Sequence, residues 1–196
     1  MHRSLIITLL VASPACVTQD PTASVTTTEQ ASSHDDCPAG VPAALAPAAD
    51  QDLAFVFAAE GVQKYTCNAT AWVFVAPQAD LFRGSSDHVI GTHYAGPTWE
   101  HLDGSTVVGA RLAGATVDAT TIPWLLLTAV GHNAVEGRMT GITAIQRLET
   151  EGGLAPAIGC DPNHLGATAD VPYTANYFFY RTRREHPERN HRCGVI

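Results

Sequence analysis

Val62-Gln63-Lys64-Tyr65-Thr66-Cys67 is the stretch that sets the class of the fold. In an extended chain Val62, Lys64 and Thr66 fall on one side and Gln63, Tyr65 and Cys67 on the other, the alternation of a strand covered on one face. Outward from it, short runs rich in aromatic and β-branched residues recur at 53–58, 71–75, 106–112, 122–130, 140–148 and 173–180, punctuated by Gly, Pro and Asp. Regular short strands with such turns predict an all-β domain, an antiparallel sandwich or barrel with little helix. Ile122-Pro123-Trp124-Leu125-Leu126-Leu127 is apolar throughout, which suits a strand buried on both faces, with a short helix as the competing reading. Pro123 fits at that strand's start, where its missing N–H does least harm. No apolar stripe of helical period runs the length of an ordinary helix.

The N-terminus places this domain outside the cytoplasm. Met1-His2-Arg3-Ser4 is followed by an apolar run over 5–12 and by Ser13-Pro14-Ala15 before Cys16, the layout of a signal peptide over 1–16. The run is shorter than the roughly 20 residues of a membrane-spanning helix. Cleavage before Cys16 would make it an acylated N-terminus, although Ser13 departs from the aliphatic residue of the usual lipobox. Residues 17–41, dominated by Thr, Ser, Ala and acids, cannot bury enough apolar surface to offset their ordering entropy and are expected to be a tether. A domain over 42–180 follows, then a basic tail over 181–196 that Cys193 ties down. The net charge of −8 and the lack of a basic stripe interleaved with aromatics argue against a nucleic-acid partner. The expected location is secreted or cell envelope, with membrane contact only through a lipid at Cys16.

Of the five cysteines, setting aside Cys16 leaves four, an even number in a chain marked for an oxidising compartment. Three connectivities are open. Cys67 with Cys160 is favoured because both sit inside the ordered region, which leaves Cys37 with Cys193 to join the ends. No C-x-x-C or H-x-x-x-H spacing supports zinc instead. Nucleotide cofactors lose their usual support as well: neither a strand, G-x-G-x-x-G and helix in succession nor a Gly-Lys-Ser/Thr loop is present, and no cofactor is implied. Gly152-Gly153 and Gly159 read as turns.

Several ordered strings carry a family likeness: Glu60-Gly61-Val62-Gln63-Lys64-Tyr65-Thr66-Cys67, Trp72-Val73-Phe74, Gly91-Thr92-His93-Tyr94-Ala95-Gly96-Pro97-Thr98-Trp99-Glu100, Asp103-Gly104-Ser105, Ile145-Gln146-Arg147 and Val171-Pro172-Tyr173-Thr174-Ala175. With Ile122–Leu127 and Gly152-Gly153 they resemble the family catalogued as domain of unknown function 3455, found in secreted proteins of fungi and bacteria. The resemblance implies no established activity. Some fungal members carry a malate dehydrogenase label, a chemistry that the missing dinucleotide fingerprint argues against. Cys67 and Cys160 both fall in family-like strings, in keeping with their pairing.

The densest functional groups lie between Gly91 and Ser105. A metal reading draws on His93, Glu100 and His101 with His88 nearby, but Ala95 stands where a His-x-His pair needs its second histidine. On a continuous strand His93 and His101 would share a face and Glu100 would take the other, and Gly96-Pro97 interrupts that register. Glu100 and Asp103 are candidate paired carboxylates for hydrolysis, although Asp103-Gly104 also reads as a hairpin turn. Ser105 has no nucleophile-elbow context. A binding reading gathers His93, Tyr94, Trp99, Glu100, Asp103, Arg147 and Tyr173, with Trp124, around a concave site, Arg147 facing Glu100 or Asp161. The expectation is therefore a non-catalytic binding or surface module for a small molecule or envelope component. An enzyme centred on His93, Glu100 and Asp103, metal-assisted or not, is the alternative, and a purely structural envelope protein is the third reading. Whichever holds, the stretch over 91–105 is expected to shape a loop between strands.

Overall fold

In a computed structural model, described here for residues 40–183, the chain forms one closed antiparallel barrel in which each strand pairs with the next and the last with the first. The strands are β1 Gln51–Cys67, β2 Trp72–Phe82, β3 Val89–Tyr94, β4 Thr98–His101, β5 Thr106–Ala115, β6 Trp124–His132, β7 Ala144–Gly152 and β8 Thr168–Thr182. Closure leaves no unpaired edge, which is how an all-β chain avoids presenting free N–H and C=O groups. The expected signal peptide, most of the expected tether, Cys16, Cys37 and Cys193 lie outside the described residues.

Two features of the strands differ from the sequence expectation. Residues 53–58 and 62–67 are one strand, because Glu60 and Gly61 continue the ladder to β2 and β8 rather than breaking it. A Cβ at Gly61 would lie 2.1 Å from the Gln78 carbonyl oxygen, so glycine here permits close approach of β1 and β2. The stretch over 91–105 is not a loop but the hairpin of β3 and β4, with Gly96 at φ 103° in its turn and His93 opposite Trp99.

Alternation then sorts the side chains into two cores. Phe55, Phe57, Leu81, Trp99, Leu127, Ile145, Tyr177 and Phe179 fill the inside of the barrel. Leu126, Leu148, Phe178 and Tyr180 point outward and are covered by Leu45, which the short 3-10 turn Ala43–Leu45 sets down on them. Gln146 fixes this strap, its Nε2 donating to the Leu45 carbonyl at 2.6 Å while its Oε1 accepts from the Tyr180 hydroxyl at 2.6 Å. Leu126 outside and Leu127 inside explain why the 122–127 run is apolar without a break. Val41, at the end of the expected tether, also lies against the outer core. The first arginines of the expected basic tail are structural: Arg181 belongs to β8 and donates to the Arg138 carbonyl, and Arg183 holds Asp52 through Nε and Nη2.

The up-and-down order puts the connections β1–β2, β3–β4, β5–β6 and β7–β8 at one end of the barrel and the other three at the opposite end. The second end is closed. Residues 133–143 send Met139 and Ile142, both fully buried, toward Phe55 and Phe57. Asp103 and Ser105, in the β4–β5 turn, hold this plug: Asp103 Oδ2 accepts from the Arg138 N–H at 2.7 Å and Ser105 Oγ from the Met139 N–H at 3.0 Å. At the first end the disulfide Cys67–Cys160 ties the β7–β8 connection to the end of β1. Tyr65 Oη donates to the Gly153 carbonyl at 2.6 Å and Trp72 Nε1 to the Ile158 carbonyl at 2.9 Å, laying that connection along the rim. Asn68 Oδ1 accepts from the Thr70 and Ala71 N–H groups, building the tight β1–β2 turn.

Candidate functional site

Below the first end lies a cavity of about 270 Å³, within the barrel wall made by β1 to β7 and closed on its inner side by Tyr177 of β8. It exists because the interior positions there carry side chains that do not fill the lumen, whereas phenylalanines and Met139 fill the opposite end. A shift in the β1–β2 register between Lys64 and Tyr65 places Phe74 opposite Tyr65, so its ring reaches the mouth and meets Tyr65 edge-on at 5.8 Å. Val75, Pro77, Leu125 and Leu127 supply apolar wall.

The polar part of the wall is made by His93, Trp99, Gln63, Tyr177, Arg111 and Arg147. His93 is buried and stacked on Trp99 with ring centroids 4.4 Å apart, and Tyr177 meets it edge-on at 5.0 Å. His93 Nδ1 lies 2.8 Å from the Thr98 carbonyl, which can only accept, so Nδ1 carries the proton. Burial pushes the His93 pKa down to about 3, against the pull of that hydrogen bond and with help from the Arg147 charge, so the ring is neutral at ordinary pH. Gly109 makes room for the stack: a Cβ there would sit 2.9 Å from Trp99 Cζ3 and 3.3 Å from Leu127 Cδ2.

Arg147 points inward because β7 alternates, with Ile145 inside and Gln146 and Leu148 outside. The ladder sets it between Leu125 and Tyr177. Its guanidinium donates to the Pro123 carbonyl through Nε at 3.3 Å and Nη2 at 2.7 Å. Among the described residues no carboxylate pairs with it. Its charge reaches Tyr65, His93, Tyr173 and Tyr177, in each case as a smaller influence than burial. Burial raises the pKa of all three tyrosines and keeps their hydroxyls protonated.

The candidates named from sequence therefore part company. His93, Trp99 and Arg147 come together in the cavity wall, and Tyr173 lies buried beside it with its hydroxyl 3.4 Å from that of Tyr177. Tyr94 and Glu100 do not join them. They bond to each other at 2.8 Å on the exposed side of the β3–β4 hairpin, so the expected pairing of Arg147 with Glu100 is corrected. Asp161 is not its partner either, since it caps the turn Pro162–His164 and bonds His164 at 2.8 Å. Asp103 serves the plug at the far end, where hydrogen bonds from Ser105, Arg138 and His101 outweigh its partial desolvation and hold its carboxyl well below the usual range. Trp124 packs on the outer core.

The metal and hydrolytic constellations are divided in the same way. His93 and His101 do share the inner face, but His101 stacks on Phe57 at 6.0 Å and contacts Asp103, while Glu100 takes the outer face. Among the described residues no three His, Cys, Asp or Glu side chains gather as a metal site. Gln63, Arg111 and Tyr177 complete the wall and were not among the candidates. Gln63 could have been found, because it shares the covered face of the opening strand with Tyr65 and Cys67, and a polar residue there is the anomaly.

A family model described as "Protein of unknown function (DUF3455)" matches residues 47–181, more than half of the chain and all of the barrel except the last residue of β8. No curated protein and no solved structure matches the chain.

Proposed function

The chain belongs to this family of unknown function, and we propose that it is a non-catalytic binding module that holds a small molecule in the open-end cavity of its barrel. The observation that carries the reading is Arg147: an inward cation in a largely apolar cavity, with no carboxylate against it among the described residues. Interior arginines are ordinarily paired with an acid, and one left unpaired beside space is suited to a ligand. The mixture of a few polar groups with aromatic and aliphatic walls is that of small-molecule pockets, with a volume just below their usual range of about 300–1,000 Å³. The enzyme reading has less to stand on, because His93, Glu100 and Asp103 face three different surroundings.

We further propose that the domain works outside the cytoplasm, exported by residues 1–16 and anchored through an acylated Cys16. The Cys67–Cys160 disulfide supports an oxidising compartment. The binding reading is tested by screening the purified protein against a small-molecule fragment set by two-dimensional NMR. Hits should shift the Trp99 indole and the backbone of β3 and β7. A screen without a hit in the cavity would overturn it.

A further inference from the structure

Resting on the reading of the open end as a binding cavity, we infer that its ligand is a small organic carboxylate with a compact apolar body, the carboxylate held by Arg147. The charge argument comes first. The chain carries net charge −8, yet the cavity presents two guanidinium groups, Arg147 within and Arg111 in the wall, neither with a carboxylate partner among the described residues. Arg147 donates to the Pro123 carbonyl through Nε and Nη2 and also to the Tyr177 hydroxyl, which still leaves N–H groups of its five for another acceptor. Arg111 folds back over Gly114, its Nη2 2.5 Å from where a Cβ of that glycine would stand, a position that any side chain there would deny it.

A second, independent observation concerns neutral donors. Trp99, with 1% of its surface exposed, and Gln63, with 2%, both line the cavity; among the described residues Trp99 Nε1 has no hydrogen-bond acceptor, and Gln63 Nε2 has only the Tyr173 hydroxyl, too distant for a well-formed bond. Buried donors are rarely left so, and two of them beside two cations make a wall short of acceptors. The missing acceptors are what a ligand with anionic oxygens provides. Of the groups that could compete, His93 is held neutral with Nδ1 committed to Thr98, and no Asp or Glu lines the cavity.

The chemical class follows from what else the wall offers. A guanidinium fork matches a planar carboxylate in a bidentate manner. Phe74, Pro77, Leu125 and Leu127 would face the rest of the molecule and favour hydrocarbon or an aromatic ring. A free phosphate or sulfate would leave that apolar wall uncovered, and the volume of about 270 Å³ restricts the body to a compact one.

The test titrates the full chain with benzoate, cinnamate and hexanoate, with the primary amide of each, and with inorganic phosphate, following heat and the Trp99 indole N–H, assigned through Trp99→Phe. At least one acid should bind about tenfold or more tightly than its amide and move that indole resonance. Arg147→Met should bring the acid-to-amide affinity ratio down toward one, and Arg147→Lys should retain part of that ratio. If Arg147→Met does not fold, the acid-against-amide ratio in the unaltered protein decides. Amides binding as tightly as acids, or phosphate binding as tightly as either, would overturn this inference while leaving the cavity reading intact. Binding by no acid would also overturn it, and whether any fragment then enters the cavity tells separately whether the binding reading falls with it.

Discussion

Acidifying the solution from about pH 7 to about pH 5 should cost the barrel roughly 2 kcal/mol of stability through His93 alone. The side chain is 3% exposed, stacked on Trp99 and bonded to Thr98, with its pKa down to about 3 against an ordinary value of 6.5. The titratable groups around it are the Arg147 guanidinium, whose charge works in the same direction, and the Tyr177 hydroxyl, kept neutral by burial. Between the two pKa values the unfolded chain takes up a proton that the folded one refuses. Stability is therefore fully present above about 6.5 and falls by about 1.4 kcal/mol per pH unit below it, until the folded pKa is reached. Over the window from about pH 7 to about pH 5 that slope integrates to roughly 2 kcal/mol, while carboxylates, which titrate near 4 when unfolded, contribute little. Urea unfolding at the two pH values, with His93→Asn for comparison, measures it. The variant can still donate to the Thr98 carbonyl, and its slope rather than its absolute stability is the readout, so a lower starting point does no harm. Equal slopes in the two proteins, or a flat profile in the unaltered one, would refute a buried neutral His93.

Two further perturbations probe the cavity and its rim, and a third the anchor. Gly109→Ala puts a methyl group 2.9 Å from Trp99 Cζ3 and should destabilise by about 1–3 kcal/mol while shifting the indole fluorescence; a neutral outcome would mean that the His93 and Trp99 stack is not confined there. Cys67→Ser, or reduction, opens a bridge of sequence separation 93, worth about 4–5 kcal/mol on the chain-entropy account, and should lower Tm by 10 °C or more, roughly. Coincident melting of the oxidised and reduced proteins would contradict that. Cys16→Ser should abolish metabolic labelling with a radioactive fatty acid without changing Tm, and an unlabelled parent would remove the anchor.

What was legible in the sequence was whatever depends on neighbours along the chain. Period-two alternation identified the second half of β1, aromatic and β-branched content marked the run that became β8, and the unbroken run over 122–127 announced a strand with a core on each side, as Leu126 and Leu127 bear out. The β3–β4 hairpin escaped because its inward residues are Gly91, His93, Trp99 and His101, a set whose histidines and glycine hide an inner face that the alternation would otherwise have declared. The gap left between the runs 53–58 and 62–67 closed for the complementary reason. A glycine in a strand looks like an interruption until the partner strand is known, and here it is the closeness of Gln78 and Ala79 that requires it.

The site was less legible than the fold because it is assembled by closure. Density of functional groups in one segment pointed to Tyr94, Glu100 and Asp103, but neighbours in a strand face opposite ways, so a dense segment necessarily divides its groups between inside and outside. Glu100 left the interior for this reason, and with it went the carboxylate that Arg147 was expected to meet. The surviving set, His93 and Trp99 with Arg147, joins the β3–β4 hairpin to β7, which pairs with neither strand and meets them only across the lumen. No local pattern could have brought them together. The unmatched charge of Arg147 and the unaccepted donors of Trp99 and Gln63 are properties of the closed barrel, and a sequence reading that pairs each cation with the nearest acid in a dense motif will conceal such a site by supplying it with an internal partner that the fold withholds.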